Sequence, residues 1–269
     1  MSRADAPTPL LLDIPVRSSI CPESACAVAT ELIKHYLYMF GQAPGLVDNL
    51  LTAPLQGSKT NGDRRRTDRM VLFRETKAPR RNRRMDSFVG SIQAMLGCVT
   101  PRLISLATGG DSCCRLLYIF GPTPTRPKWV IDVRISPVSS CLNADLKRPR
   151  AVSRTVVRRL VMATSEEPGT IAGSTKLYIM LPVPTPGGES PAAPAGFRLQ
   201  RSPRLLVRKA RWLTLAIHPH TGPEAPTITP PLPKPLTDRP GSRVVDLADN
   251  SVEWFLCQHA VKGVACQPS

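Results

Sequence analysis

The chain has 269 residues, a formal net charge of +16, 42% hydrophobic residues and 29 prolines. This length suits one large domain with insertions, or one and a half small domains. The charge favours acidic protein surfaces or polyanions as partners. No apolar run approaches the roughly 20 residues of a membrane helix, and the eight cysteines include no C-x-x-C pair, which argues against a structural zinc site. We therefore expect a soluble, intracellular protein with free thiols.

The first strong pattern is an amphipathic helix over Pro22–Phe40, which follows a predicted flexible tail at 1–18. Its apolar residues recur at spacings of three and four and share one face: Ala25, Ala29, Leu32, Ile33, Tyr36, Leu37 and Phe40. Pro22 suits the first helical turn, and Gly41 is placed to end the helix. A short helical turn is predicted over Val47–Leu55.

A basic segment follows at 57–84, with eleven Lys or Arg residues against three Asp or Glu residues, a net charge of +8. We interpret it as a solvated, disordered loop. A nuclear-import signal in RRRTDR or KAPRRNRR is the second interpretation. Nucleic-acid binding is the third, because aromatic residues for base stacking are nearly absent, with Phe73 alone in the segment.

The middle of the chain predicts a helix and three strands. The helix runs over Arg84–Leu96 and ends at Gly97, and Pro101 then opens a strand at Leu103–Ala107. Strands at Cys114–Phe120 and Lys128–Ile135 complete an antiparallel meander, and alternation in the last one indicates a half-buried strand.

A third helix is predicted over Arg150–Thr164. At about 100° per residue, its core face comprises Val152, Val156, Leu160 and Ala163. Val161 lies nearly opposite Val152, and Arg154 and Arg158 flank it on the same outer side. A strand is expected at Lys176–Val183, and a strand pair at Phe197–Lys209 and Arg211–Ile217.

Composition divides the chain into an ordered core and proline-rich spacers. The predicted division is a tail at 1–18, a core at 19–217 with a basic loop at 57–84 and a Pro/Gly loop at 182–196, a Pro-rich linker at 218–241 and a C-terminal segment at 242–269 that docks on the core.

Enzyme signatures are missing from the sequence. It has no phosphate loop, no dinucleotide fingerprint and no G-x-S-x-G elbow. His218-x-His220 and Cys257-x-His259 lack standard metal-site spacing, and no histidine has a recognisable carboxylate partner. We expect no catalytic residue, no cofactor and no metal, and therefore a binding protein.

Five blocks of residues, in order, carry a family resemblance. They are Glu31–Tyr38, Thr100–Ile104 with Gly109-Gly110, Arg158-Arg159-Leu160, the run Arg198–Ile217, and Trp254-Phe255 with Val261-Lys262-Gly263. Together they resemble the comet family, HORMA-like partners of the spindle-checkpoint protein called mitotic arrest deficient two. Two positions depart from the family: Met39 stands where a glutamine is frequent, and Val161 where a bulky aromatic is usual.

The resemblance implies an α+β, HORMA-like fold, with an antiparallel sheet on about three helices and a self-docked C-terminal segment. It implies an adaptor that binds the closed form of the checkpoint HORMA protein, opposes checkpoint assembly and presents that protein to a hexameric AAA+ ATPase. The expected locations are the nucleus, the cytoplasm and, in mitosis, the spindle or kinetochore. Implied partner-binding residues are Met39, Arg154, Val157, Arg158 and Val161, and the implied C-terminal belt residues are Trp254, Phe255, Lys262 and Gly263.

Two alternatives stay open at this point. One is a HORMA protein that itself traps a short peptide, with a mobile C-terminal segment. The other is a nucleic-acid-binding module that uses the basic segment 57–84, although neither nucleic acid nor membrane is an expected partner.

Overall fold

The computed structural model describes residues 10–17, 19–52, 79–108, 114–136, 148–163, 171, 175–185, 192–201, 203–207, 210–220, 244–247 and 252–264. The helices in these ranges are α1 (Pro22–Met39), α2 (Val47–Thr52), α3 (Pro79–Thr108) and α4 (Arg148–Ala163). The strands are β1 (Leu10–Val16), β2 (Cys114–Gly121), β3 (Trp129–Ile135), β4 (Lys176–Pro184), β5 (Phe197–Gln200), β6 (Arg204–Leu206), β7 (Arg211–Pro219), β8 (Val244–Asp246), β9 (Val252–Cys257) and β10 (Val261–Lys262). The α+β class predicted from the sequence is confirmed.

Eight strands form one mixed sheet in the order β1-β7-β3-β2-β4-β9-β5, with β10 paired to β4. The prediction of an antiparallel sheet is wrong at one side, because β1 and β3 both run parallel to β7. The remaining neighbours in the sheet are antiparallel. The strand pair predicted from Phe197 to Ile217 does not form. Instead β5 pairs with β9, β6 with β8, and β7 lies between β1 and β3.

The helices cover one face of this sheet. A large core cluster joins the apolar sides of α1, α3 and α4 to sheet residues such as Leu116, Tyr118 and Ile131. The opposite face packs against Leu205 on β6 and Leu247 just after β8. Because both faces are covered, β3 is buried at six of its seven positions, and the predicted half-buried strand is wrong.

The first helix agrees with its prediction. All seven residues of the predicted apolar face are buried. Gly41 has φ +63 and follows the last turn, in the left-handed conformation that ends helices. Tyr118 donates a hydrogen bond from its hydroxyl to the Ala29 carbonyl, at 3.0 Å, which fixes α1 over β2.

The second long helix differs most from its prediction. α3 passes through Gly97 and Pro101 and continues to Thr108, so no strand exists at Leu103–Ala107. Val99 and Leu103 are buried with Ile92 and Met95 along one helical stripe, and this packing overrides the cost of the interior proline. The helix also begins at Pro79, so the end of the predicted loop 57–84 is helical. Residues 57–78 of that loop lie outside the described residues.

Two other boundaries change. Leu10–Val16 of the predicted tail at 1–18 is strand β1, held by β7, with Ile14 and Val16 buried. The Pro/Gly loop predicted at 182–196 begins later, because Pro182–Pro184 belong to β4, and residues 186–191 lie outside the described ones. The predicted linker 218–241 likewise loses His218 and Pro219 to β7, while residues 221–243 are not described.

Candidate partner-binding surface

The fourth helix divides cleanly into a buried side and an exposed side. Val152, Val156 and Leu160 are at most 2% exposed, whereas Val161 is 45% exposed. The predicted core face is therefore confirmed at three positions and wrong at Ala163, which is exposed. Ala163 is the last residue of the helix, beyond the part that the sheet and α1 cover. The buried side alone anchors α4.

The exposed side carries apolar and cationic groups together. Arg154 and Arg158 are exposed, and Val157 is half-buried. Met162, next to Val161, is 72% exposed and was missed by the sequence interpretation. On a helical wheel Met162 lies about 40° from Arg158, so the same helix geometry predicts that its side chain is exposed. We call Arg154, Val157, Arg158, Val161 and Met162 the outer face of α4.

All the charged residues of α4 are positive. The segment Arg148–Ala163 contains five arginines and no Asp or Glu. Along one flank of α4, an open depression of about 340 Å³ is lined by Arg17 and Arg159 together with Thr155 and Val16. Such a surface attracts partners that carry carboxylates around an apolar patch.

Met39, the remaining predicted contact, lies in the last turn of α1. It is half-buried, and its neighbour Tyr38 is 47% exposed. Because α1 packs against α4, both helices belong to the same helical layer. Phe40 just beyond Met39 is buried and contacts Phe120 edge to face, with the ring centroids 4.8 Å apart. The end of α1 is thereby fixed while part of Met39 stays accessible.

The four predicted C-terminal belt residues occupy different environments. Phe255 is 1% exposed in the helix-side core, and Trp254 is buried on the opposite sheet face. The Trp254 indole donates to the Leu247 carbonyl at 2.8 Å, and the Arg115 guanidinium lies 5.3 Å from its ring centroid. Lys262 is exposed and Gly263 is buried. Docking therefore depends on Trp254, Phe255 and Gly263, while the Lys262 side chain faces solvent.

A buried glutamine holds the chain at Gly263 and Val264, after β10, and was missed by the sequence interpretation. Gln42 accepts from the Thr175 backbone N–H at 2.8 Å and donates to the Phe40 carbonyl at 3.1 Å. Its own backbone carbonyl accepts from Val264 N at 2.8 Å. Gly263 lies directly on the Gln42 side chain, so a Cβ at position 263 would overlap it. We call Gln42, Thr175 and Gly263 the glutamine clamp.

A second buried polar cluster lies on the sheet face opposite the helices. Asp132 is fully buried and accepts hydrogen bonds from two guanidinium groups, those of Arg115 and Arg134, at 2.9–3.1 Å. Such a carboxylate is stable only because both arginines compensate its charge. Arg115 also contacts Trp254, so the cluster connects β2 and β3 to the C-terminal strand β9.

One histidine has a carboxylate partner that the sequence interpretation did not predict. His218 is paired, through Nε2, with the Asp13 carboxylate at 2.8 Å, so the statement that no histidine has a carboxylate partner is wrong. The pair became possible because β1 lies beside β7, which the sequence did not indicate. Within the described ranges, no group of three or more His, Cys, Asp or Glu residues is arranged to hold a metal ion, and no helix there is long and apolar enough to cross a membrane.

Comparison with known proteins gives no family assignment: no protein-family model matches the chain, and no curated protein sequence matches it. A proposal for the outer face of α4 therefore depends on the geometry of that face.

Proposed function

We propose that the chain is a comet-type adaptor whose outer face of α4 binds the closed form of the checkpoint HORMA protein called mitotic arrest deficient two. The observation that carries the proposal is the partition of α4: three buried residues hold the helix, and Val161 and Met162 stay exposed beside Arg154 and Arg158. Exposed apolar residues with a cationic rim are typical of interface centres.

The resemblance and the surface agree on the same helix. The block Arg158-Arg159-Leu160 falls on α4, and the block Glu31–Tyr38 falls on α1, which packs against it. The block Thr100–Ile104 supports the proposal less, since it is helical rather than the strand that the family resemblance implied. The adaptor role includes presentation of the bound protein to a hexameric AAA+ ATPase and opposition to checkpoint assembly, in the nucleus and cytoplasm and on the mitotic spindle.

The finer fold within the α+β class is part of the same proposal. We interpret β8, β9 and β10 as a HORMA-like belt closed on the chain's own body. Its support is the position of β9 between β4 and β5, with Phe255 in the main core. A peptide-trapping HORMA protein would instead leave this segment open until a ligand arrives.

Substitution of Val161 tests the interface. Val161→Glu places a carboxylate in the proposed contact, which costs about 2–4 kcal/mol of binding free energy, roughly thirty- to a thousand-fold in Kd. The thermal midpoint should stay unchanged, because the side chain is already exposed. The measurement is co-elution with the closed checkpoint HORMA protein, alongside a thermal melt.

Leu206→Glu is the matched control. Leu206 is 39% exposed, close to the 45% of Val161, and lies on β6, away from the helical layer. It should keep both the melt and the co-elution. Val152→Glu, in contrast, should unfold the chain. If Val161→Glu co-elutes like the native chain, or if it melts early, the interface assignment is wrong.

Hydrogen exchange separates self-closure from peptide trapping. Strong amide protection of β9 in the free protein is expected, since its neighbours are β4 and β5 on both sides. Rapid exchange of β9 without any added peptide would favour the peptide-trapping alternative.

A further inference from the structure

Cys98 and Cys257 are two free cysteines far apart in sequence that both lie close to Gly196 in the fold. Cys98 lies on α3, half-buried, and packs against the main core. Its sulfur rests directly on Gly196. A Cβ at position 196 would overlap the Cys98 Sγ and lie 3.0 Å from the Cys98 Cβ. Gly196, with φ +77, is the residue that allows this close approach.

Gly196 also adjoins the other thiol. The next residue, Phe197, pairs with Cys257 across the β5–β9 ladder. The Gly196 carbonyl accepts from the Gln258 backbone N–H at 2.9 Å. Cys257 belongs to the same core cluster that Cys98 packs against, so its side chain lies on the helix side of the sheet. The two thiols therefore share the neighbourhood of one glycine.

The two thiols have different accessibility. Burial, with a further contribution from the nearby Cys98, raises the pKa of Cys257 to about 11, and its side chain is 2% exposed. Cys98 is half-buried and therefore the one that a small oxidant reaches first. This asymmetry assigns an order: Cys98 reacts with the oxidant, and Cys257 resolves it.

We propose that Cys98 and Cys257 are a peroxide-sensitive pair that forms a disulfide between α3 and the C-terminal strand β9. The Cys98 thiolate attacks the O–O bond of a hydroperoxide; the sulfur gains an oxygen as sulfenic acid, and the alcohol, or water for hydrogen peroxide, leaves after protonation. The Cys257 thiol then attacks that sulfur as its proton passes to the departing hydroxyl group, which leaves as water. Two thiols lose two electrons to one peroxide, and the C-terminal strand becomes covalently attached.

The matched control lies inside the same molecule. Cys26 and Cys114 are also neighbours, because Cys114 contributes to the raised pKa of Cys26. Both, however, are at most 5% exposed, and they connect α1 to β2 rather than α3 to β9. Under mild peroxide they should stay reduced.

The test treats the full native chain with substoichiometric hydrogen peroxide, blocks remaining thiols in denaturant and maps the peptides by mass. The expected product links the Cys98 and Cys257 peptides and is two hydrogens lighter than the reduced pair. The chain also gains thermal stability, and dithiothreitol reverses both changes. Cys98→Ser should abolish the linked peptide and the gain, while Cys26→Ser should keep both.

Three results would overturn the proposal. One is a Cys98 sulfinic acid without any linked peptide. Another is Cys98 bridged to a cysteine other than Cys257. The last is a linked Cys98–Cys257 peptide found only after the chain is denatured, because the fold would then contribute nothing to the pairing.

Discussion

Gly263→Ala should destabilise the chain through the glutamine clamp. The new Cβ would overlap the Gln42 Oε1 and lie 2.8 Å from both the Cβ and the Cδ of Gln42. The contact is with a buried side chain close to the backbone of α1, so Gln42 has to leave its position. Thr175 N–H then loses its acceptor, which sits at 2.8 Å in the native chain, and the Phe40 carbonyl loses its donor.

The magnitude follows from these two lost bonds. A buried N–H without an acceptor costs about 1–3 kcal/mol, and the second hydrogen bond contributes about 1 kcal/mol net. Gly263→Ala is therefore expected to lower the free energy of unfolding by about 2–4 kcal/mol, a large part of the 5–15 kcal/mol typical of a domain. Urea denaturation followed by circular dichroism measures it.

Two further variants isolate the clamp. Gln42→Ala removes the same hydrogen bonds, so adding Gly263→Ala to it should cost little more, and the pair should be strongly non-additive. Gly90→Ala is the matched control, because Gly90 is exposed on α3 with open space around it, and it should not destabilise. An additive double variant, or a Gly263→Ala cost below about 1 kcal/mol, would refute the clamp.

Three further predictions concern the core and its titration. Truncation after Asn250 removes β9 and β10, and loss of the buried Phe255 alone costs about 3–5 kcal/mol, so the truncated chain should be insoluble; a soluble product with a cooperative melt would contradict this. Asp132→Asn leaves two guanidinium groups on the sheet without their counter-charge, and should cost about 3–5 kcal/mol in urea denaturation; a cost under about 1 kcal/mol would mean that solvent already compensates them. Burial, then the neighbouring Cys114, raises the pKa of Cys26 from 9.0 to about 12. The unfolded chain therefore loses this proton where the native chain keeps it, and the free energy of unfolding falls as the pH rises above about 9. Cys26→Ala should reduce that fall between about pH 9 and 10, whereas the part due to the tyrosines, whose unfolded pKa is about 10, should remain. An unchanged slope would show that Cys26 does not contribute.

Local sequence patterns were sufficient to predict α1, β2, β3 and the buried side of α4. The helix α1 was predicted to within one residue, because its apolar spacing and Gly41 agree with its tertiary environment. The strands β2 and β3 were also placed correctly. On α4, wheel geometry alone separated Val152 from Val161, which is the basis of the candidate site.

Non-local packing determined what the sequence interpretation missed. Gly97 and Pro101 are strong local stop signals, yet the buried stripe through Val99 and Leu103 carries α3 past both. The strand β1 contains Asp13 and Pro15 and resembles a tail until β7 offers it a parallel neighbour. The order of strands in the sheet has no signature in local periodicity, since β9 joins β4 and β5 across long stretches of chain.

The candidate site likewise contains residues that local patterns predict and residues that only non-local packing brings into place. Exposure of Val161 followed from helix geometry, whereas Met162 was missed because it lies one position past the arginine-flanked stretch that drew the interpretation. Gln42 gave no signal at all, since a polar residue after a helix is ordinarily solvated. Only the approach of Gly263 and Thr175 from distant parts of the chain turns it into a buried connection.

The central claim is that the outer face of α4 recognises one conformation of the checkpoint HORMA protein. Calorimetric titration of the full chain with that protein, held in its closed form and separately in its open form, tests this most directly. We expect saturable binding to the closed form and no binding to the open form. Binding to the closed form should weaken at high salt, because Arg154 and Arg158 border the contact. Equal affinity for both forms, or no heat of binding with the closed form at low salt, would contradict it.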